Sequence, residues 1–412
     1  MKTNRSLRTA SVEDYEKYIG AETVDRIMEK ARPLRDIHVA NVNATFYGGG
    51  VAGILSSFIL LMNSIGIKTG WRVIQGTPDY FSITKKMHNA LQGGTINLTR
   101  QKKEVYETVV YQNSIRNHLD HGLVIIHDPQ PLPMINHYRK RGPWIWRCHI
   151  DMTDPDPGCW NYVRDFVEKY DAVVMTLKEY KQDLNTSQVF IQPAIDPFNI
   201  TNKEMSEDEI QERLNHYHIP CDLPLVTQIS RFDRWKDPEG VIKAFKKARK
   251  KVDCTLVLLG NVATDDPEGE EVYESLLDQR EERVLIMSHQ DTALVNALQR
   301  KARVVMQKSK REGFGLTVAE AMWKKTPVIG GNVGGIRYQI NDGENGFLVG
   351  DVDETAEKIV ELVKDKKKAE IMGEKARRSV EKNYLLTRYL EQYLDLILAF
   401  DTNYTLNKNA IT

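Results

Sequence analysis

The chain has 412 residues, 41% of them apolar and 28% charged. This ordinary globular usage excludes a disordered or fibrous protein and leaves room for two or three domains of roughly 100–200 residues. Fifty-seven Lys and Arg balance 57 Asp and Glu, a net charge of zero, so the basic excess of a nucleic-acid binder is missing. The four cysteines, Cys148, Cys159, Cys221 and Cys254, are too widely spaced for a C-x-x-C motif or a dense disulfide framework, which fits a reducing, cytoplasmic setting.

The chain opens on charged residues where a secretory signal would need an apolar stretch, so no such signal is expected. Residues 1 to about 35 read as a polar, helical arm, with Ser11-Val12-Glu13-Asp14 as a cap before a charged run that stops at Pro33. From Gly48 to Ile67 there are 20 residues without a charge, the nominal length of a membrane span. Five glycines, three serines and an asparagine interrupt it, and Val51, Ile54, Leu55, Phe58, Met62 and Ile65 keep helical spacing. A buried helix is therefore expected, and no membrane association.

Short β-rich runs alternate with helical stretches at Ile37–Thr45, Leu123–His127, Ile145–Ile150, Ala172–Thr176 and Val189–Gln192. The segment 198–223 turns charged and helical. A second series follows at Leu225–Ser230, Thr255–Gly260, Arg283–Met287, Arg303–Met306 and Pro327–Ile329, with helices such as Glu239–Lys251 between them. Such alternation predicts an α/β fold of two tandem Rossmann-like domains facing a cleft, each with a parallel sheet. The first domain takes residues 1–200 and is joined by a C-terminal helix, 385–412; the second takes 201–384. Ligands of open parallel sheets sit beyond the carboxyl ends of the strands, which directs attention to the cleft. The Lys-rich stretches Lys243–Lys251 and Lys364–Lys368 and the acidic Asp265–Glu282 read as solvated faces.

Several strand ends carry residues suited to chemistry. Gly48-Gly49-Gly50 opens the apolar helix and would let an anion approach its N-terminus, or would simply form a tight turn. Arg231 and Lys236 follow the strand ending at Ser230; they can meet a diphosphate, or pair with Asp233 and Asp237. In Glu312-Gly313-Phe314-Gly315-Leu316-Thr317-Val318-Ala319-Glu320 two glycines precede a helix expected over Leu316–Lys325, whose first N–H groups could hold phosphate. Glu312 and Glu320 are separated by a helical rise of about 12 Å, which disfavours a hydrolytic carboxylate pair. They could instead hold two ends of one extended ligand, unless Glu320 only supports a surface helix. Asp128, in His127-Asp128-Pro129, could cap a helix that Pro129 begins. His149 could be a satisfied core histidine. Asp154/Asp156 and Asp351/Asp353 stand in Pro-rich or loop contexts without an accompanying cluster, and no bound metal is expected.

The order of these signals resembles the retaining nucleotide-sugar glycosyltransferases of the two-domain GT-B type. More narrowly, His127-Asp128-Pro129-Gln130-Pro131, Trp146-Arg147-Cys148-His149-Ile150-Asp151, Arg231-Phe232-Asp233 and Arg311-Glu312-Gly313-Phe314-Gly315-Leu316-Thr317 resemble the trehalose glycosyltransferring synthases. The resemblance implies transfer of glucose from a nucleoside-diphosphate glucose to free glucose, with no tightly bound cofactor and no required metal. Arg231 and Lys236 would clasp the diphosphate, near Gly313, Leu316 and Thr317. Glu312 and His149 would contact the donor glucose, Glu320 the ribose and Asp128 the acceptor, while Gly49 and Gly50 would face phosphate and acceptor. Trehalose phosphorylases, which use glucose 1-phosphate, share part of the pattern, and nucleotide-sugar epimerases share the architecture. The substrates are small molecules, and the class admits a homodimer.

Overall fold

Apolar, β-branched runs that are buried along their whole length form parallel strands, because helices must cover both faces of such a sheet. In the computed structural model, which describes residues 10–47, 49–260 and 268–400, these runs assemble into two six-stranded sheets. The first comprises β1 (Val39–Asn43), β2 (Thr69–Val73), β3 (Leu123–His127), β4 (Trp144–Arg147), β5 (Ala172–Met175) and β6 (Ser187–Phe190), in the order β2-β1-β3-β4-β5-β6. The second comprises β7 (Leu225–Ile229), β8 (Thr255–Gly260), β9 (Val284–Ser288), β10 (Val304–Gln307), β11 (Val328–Gly331) and β12 (Phe347–Val349), in the order β12-β11-β10-β7-β8-β9. Every pairing in both sheets is parallel.

Strand order reverses between β1 and β3 in the first sheet and between β7 and β10 in the second. At such a switch point neighbouring crossovers leave to opposite faces and open a crevice beyond the strands' carboxyl ends. His127 ends β3; Arg231 and Lys236 follow β7, and Glu312 follows β10. The fold thus collects these side chains before any of them contacts another.

Two strands are absent from the sequence expectations. β2, Thr-Gly-Trp-Arg-Val, is a partly exposed edge strand, and its glycine and arginine erase the apolar signature. β12 has three residues. The helix expected over Gly48–Ile67 spans Gly49–Ser64, roughly 24 Å at 1.5 Å per residue; Gly48 lies outside the described residues. No helix among the described residues is long and apolar enough to cross a membrane. This one is apolar because neighbours cover it: Ile54, Leu55, Phe58 and Met62 share a core with Val39, Ile125 and residues 386–398.

The last described helix, Leu386–Phe400, returns to the first domain and packs on the N-terminal helix Ala21–Ala31. Arg26 and Lys30 both reach Glu391, at 2.6 and 2.9 Å. The chain crosses between domains twice, and the crossings lie side by side. Ile195 donates to Tyr384 O (2.8 Å), and Leu386 donates to Ile195 O (2.9 Å). Residues 401–412, part of the expected C-terminal element, lie outside the described residues, as do 261–267 of the region that holds the acidic run.

Phe58 is 1% exposed and meets the rings of Tyr389 and Tyr393 at 5.2 and 5.1 Å. Phe58→Ala should lower the unfolding free energy by about 3–5 kcal/mol, the loss of a buried aromatic plus its cavity. Urea unfolding checks it; a loss below about 1 kcal/mol, the scale of a volume-conserving core swap, would mean that this junction does not hold the C-terminal helix.

Candidate active site

A cleft of about 690 Å³ runs between the domains. Its lining includes all eleven residues singled out from the sequence: Gly49, Gly50, Asp128, His149, Arg231, Lys236, Glu312, Gly313, Leu316, Thr317 and Glu320.

On the C-terminal side, Lys236 belongs to a single 3-10 turn, Arg234–Lys236. The Asp233 carboxylate caps that turn, its Oδ1 accepting from Trp235 N at 2.7 Å. The pairing of Lys236 with Asp233 or Asp237 that sequence proximity suggests is replaced by a longer-range one: Lys236 Nζ lies 2.6 Å from Glu312 Oε2. Gln307 Nε2 and Ser309 Oγ also donate to that oxygen, each at 3.0 Å. Three donors hold that one carboxylate oxygen in place. Asp237 is occupied by Lys308 (2.6 Å) and Lys310 (2.9 Å). Gly315, in the left-handed region at φ 86°, precedes the helix Leu316–Trp323. Thr317 Oγ1 donates to Ile229 O at 3.2 Å, tying this helix to the end of β7.

On the N-terminal side, Asp128 is not a helix cap. Only a 3-10 segment, Leu132–His137, follows it, with Pro131 in the capping position. Asp128 is left-handed, at φ 60°, a strained conformation that Asp tolerates better than most residues. Its Oδ1 accepts from His149 N at 2.8 Å. Burial pushes its carboxyl up to about 6, against the His149 N–H and the charges of Arg147 and Arg231. Burial, reinforced by Arg147, holds the His149 imidazole well below its usual range and therefore neutral.

The domains touch across the cleft at specific points. Tyr180 Oη donates to the carbonyls of Glu312 and Gly313, both at 3.1 Å. Lys85 Nζ, on the helix Pro78–Leu91, lies 3.2 Å from Asp233 Oδ2 in a buried pair. Trp235 Nε1 donates to Asn89 Oδ1 at 3.3 Å. Gly50 faces the Leu316 side chain. Gly313 sits so close to the first domain that a Cβ there would stand 2.2 Å from the His149 carbonyl oxygen.

The sequence reading missed Lys85, His88 and Gln92, all in the cleft lining. Their spacing of three and four places them on one face of one helix; that spacing was the available signal, but solvated helix faces show the same pattern. The Asp-x-Asp strings have structural uses. Asp156 Oδ1 accepts from Cys159 N (2.8 Å), and Asp351 Oδ1 from Asp353 N and Glu354 N (2.8 and 2.9 Å), each capping a helix.

Two parallel-sheet domains whose switch points face each other across a cleft bearing cations and carboxylates have the GT-B architecture. A solved structure described as "Trehalose-6-phosphate synthase. OtsA" matches with a TM-score of 0.70 over 87% of this chain and 98% of that one, at 12% identity, a likeness of fold. Residues 41–182 match the family "Trehalose synthase, N-terminal domain" and residues 209–379 the family "Glycosyl transferases group 1". The trehalose synthase of Thermococcus litoralis is 44% identical over 399 residues, covering 94% of this chain and 97% of that protein. The chain belongs to the trehalose synthase family, and is a glycosyltransferase acting in trehalose metabolism. The trehalose phosphorylase of Pleurotus pulmonarius is 25% identical over 90% of this chain and 58% of its own length.

The approach of Gly313 to His149 yields a test. Gly313→Ala places a methyl group against a carbonyl and should hold the cleft open, lowering kcat/KM by on the order of 10²-fold through misplacement of the reacting groups. Small-angle scattering should report a larger radius of gyration with little change in melting temperature. A wild-type rate would show that this contact does not set the productive closure.

Proposed function

We propose that the protein is a retaining glycosyltransferase that moves glucose from a nucleoside-diphosphate glucose to free glucose, releasing α,α-1,1-trehalose and the nucleoside diphosphate. The observation that carries this reading is the Lys236–Glu312 pair (2.6 Å) in a cleft whose opposite wall holds Asp128 and His149. A cation for a departing phosphate, an oriented carboxylate for sugar hydroxyls and a second carboxylate for an acceptor are the groups such a transfer needs.

In this reading the diphosphate lies against Arg231, Lys236 and the first N–H groups of the helix Leu316–Trp323, near Gly313, Leu316 and Thr317. Glu312 and His149 hydrogen-bond the donor glucose, and Glu320 the ribose. Asp128 binds the acceptor, and the Gly49–Gly50 turn faces phosphate and acceptor. As the bond to the leaving phosphate breaks, Arg231 and Lys236 stabilise the growing negative charge, commonly the largest catalytic contribution in a water-excluded site. The acceptor hydroxyl attacks from the leaving-group side through an oxocarbenium-like state and passes its proton to the departing phosphate oxygen. Protein groups meet the charge, so the scheme invokes no resident metal, cofactor or covalent protein intermediate.

The direct test incubates the protein with nucleoside-diphosphate glucose and labelled glucose and looks for a labelled non-reducing disaccharide. Labelled disaccharide formed only from glucose 1-phosphate would replace this reading with a phosphorylase, and epimerised sugar nucleotide without disaccharide would replace it with an epimerase. Lys236→Ala should lower kcat by on the order of 10²- to 10³-fold, as when one oxyanion donor is removed; an unchanged rate removes Lys236 from the mechanism.

Asp128 predicts a pH dependence. Burial raises its carboxyl to about 6, and the ionised form accepts hydrogen bonds from the acceptor's non-reacting hydroxyls far more strongly than the acid does. The acceptor kcat/KM should therefore fall about tenfold per unit as pH drops below 6. Asp128→Asn should be slower throughout and lack that limb. If the limb persists in the variant, another group produces it.

A further inference from the structure

Two buried side chains from adjacent strands, His127 in the cleft lining and Asn41 behind it, bear on His149. His127 ends β3 and Asn41 sits in β1; they are 2% and 0% exposed. His127 Nδ1 lies 3.1 Å from His149 Nε2, and His127 Nε2 lies 3.0 Å from Asn41 Oδ1. The two rings are nearly parallel, at 17°, with centroids 5.4 Å apart. The three residues form one chain, Asn41–His127–His149, ending in the cleft.

We infer that His127, oriented by Asn41, is a positioning residue that fixes the ring angle and the tautomer of His149. A carboxamide oxygen only accepts, so with Oδ1 facing the ring His127 carries its proton on Nε2. Its Nδ1 is then a lone pair and must accept from His149 Nε2–H. That donation leaves His149 Nδ1 as an acceptor, able to take a hydrogen bond from a sugar hydroxyl. Asp128 holds the backbone of His149 (2.8 Å) while His127 holds its ring, so both parts are set before a ligand arrives. Such preset groups avoid reorganisation at the moment of reaction.

The chain works only with neutral imidazoles, since a proton added to His127 Nδ1 would set donor against donor. Burial, aided by the Arg147 guanidinium, brings His127 down to about 3. Arg147 itself is fully buried at the end of β4. The sequence reading placed His127 inside its motif and gave it no role. The role assigned here rests on the proposed contact of His149 with the donor glucose.

The experiment compares His127→Phe, which keeps a flat ring but no nitrogen, with His127→Gln, whose amide can still accept from His149 and donate to Asn41. In His127→Phe, kcat should fall about 10- to 100-fold, with donor KM within about threefold. His127→Gln should recover most of the loss. Adding His149→Ala to His127→Phe should slow the enzyme no further than His149→Ala alone, because a positioning residue acts through its target. Long-range ¹⁵N–¹H spectra of histidine-labelled protein without substrate, with His149 assigned by its own variant, should show a single Nε2–H tautomer in the wild type and a mixture in His127→Phe. A wild-type kcat in His127→Phe overturns the assignment, as does equal damage by Phe and Gln, or a His149 tautomer that ignores residue 127. The nitrogen spectra need no turnover. A shifted tautomer in a protein that transfers no glucose would uphold the positioning and overturn only the donor reading.

Discussion

The Asp233 carboxylate is shared between two tasks that belong to different domains. One oxygen caps the turn that carries Lys236; the other receives the Lys85 ammonium from the opposite wall. Burial pushes this carboxyl up, but Lys85, Lys236 and Arg231 outweigh burial and bring it to about 2. It therefore stays charged at any pH where the protein works. A charge buried so deeply is tolerable only while its partners are present, since removing one side of such a pair typically costs about 3–5 kcal/mol. The position of the cation turn and the approach of the domains are thereby the same energetic fact. A wide separation of the domains strips Lys85 from Asp233 and exposes the carboxylate that orders the turn.

The two crossings between the domains border the same cleft, at Ile195 and Leu386. The crossings at Ile195 and Leu385 are joined by two backbone hydrogen bonds, and the C-terminal helix rides on the first domain through an apolar seam. Rotation about that isolated bridge need not disturb either sheet. Hinges of this kind concentrate dihedral change in a few element-terminal residues. The glycine at 313 then matters as a close approach: it lets the segment bearing Glu312 come against the His149 carbonyl, a distance that any side chain would forbid.

The sequence disclosed the sheets and most of the cleft for a definite reason. Parallel strands buried on both faces read as continuous apolar runs, and the short, β-branched Leu-Val-Ile-Ile-His and the Gly-terminated Thr-Leu-Val-Leu-Leu-Gly are recognised as strands by length, composition and flanking residues. Strand ends at a switch point carry the chemistry, so Asp128, His149, Arg231 and Glu312 stood beside recognisable strands. What stayed hidden was pairing over long separations. Nothing near Lys236 in sequence reveals that its counter-ion is Glu312, because the contact exists only once β7 and β10 lie side by side. The edge strand Thr69–Val73 was hidden for the opposite reason: one face meets solvent, so Gly70 and Arg72 are allowed there and the pattern dissolves. Lys85 and His88 were hidden by helical periodicity, which says that a face is polar and leaves open what it confronts.

In the proposed reaction the Lys236–Glu312 pair is also the resting state of two groups with separate duties. Without ligand each neutralises the other, and Gln307 and Ser309 keep the carboxylate in place. A diphosphate offers Lys236 more negative charge than one carboxylate does, so its ammonium turns toward the phosphate and Glu312 becomes free to accept from sugar hydroxyls. The cost of separating the pair is offset by the new charge-assisted contacts. Only a ligand with both a diphosphate and a hexose satisfies both groups at once. Free phosphate would draw the lysine away and leave a buried carboxylate short of its strongest donor, and glucose alone would have to compete with that lysine for the carboxylate. On that proposal, discrimination for the intact sugar nucleotide rests on this 2.6 Å contact, since each fragment by itself leaves one buried charge unanswered.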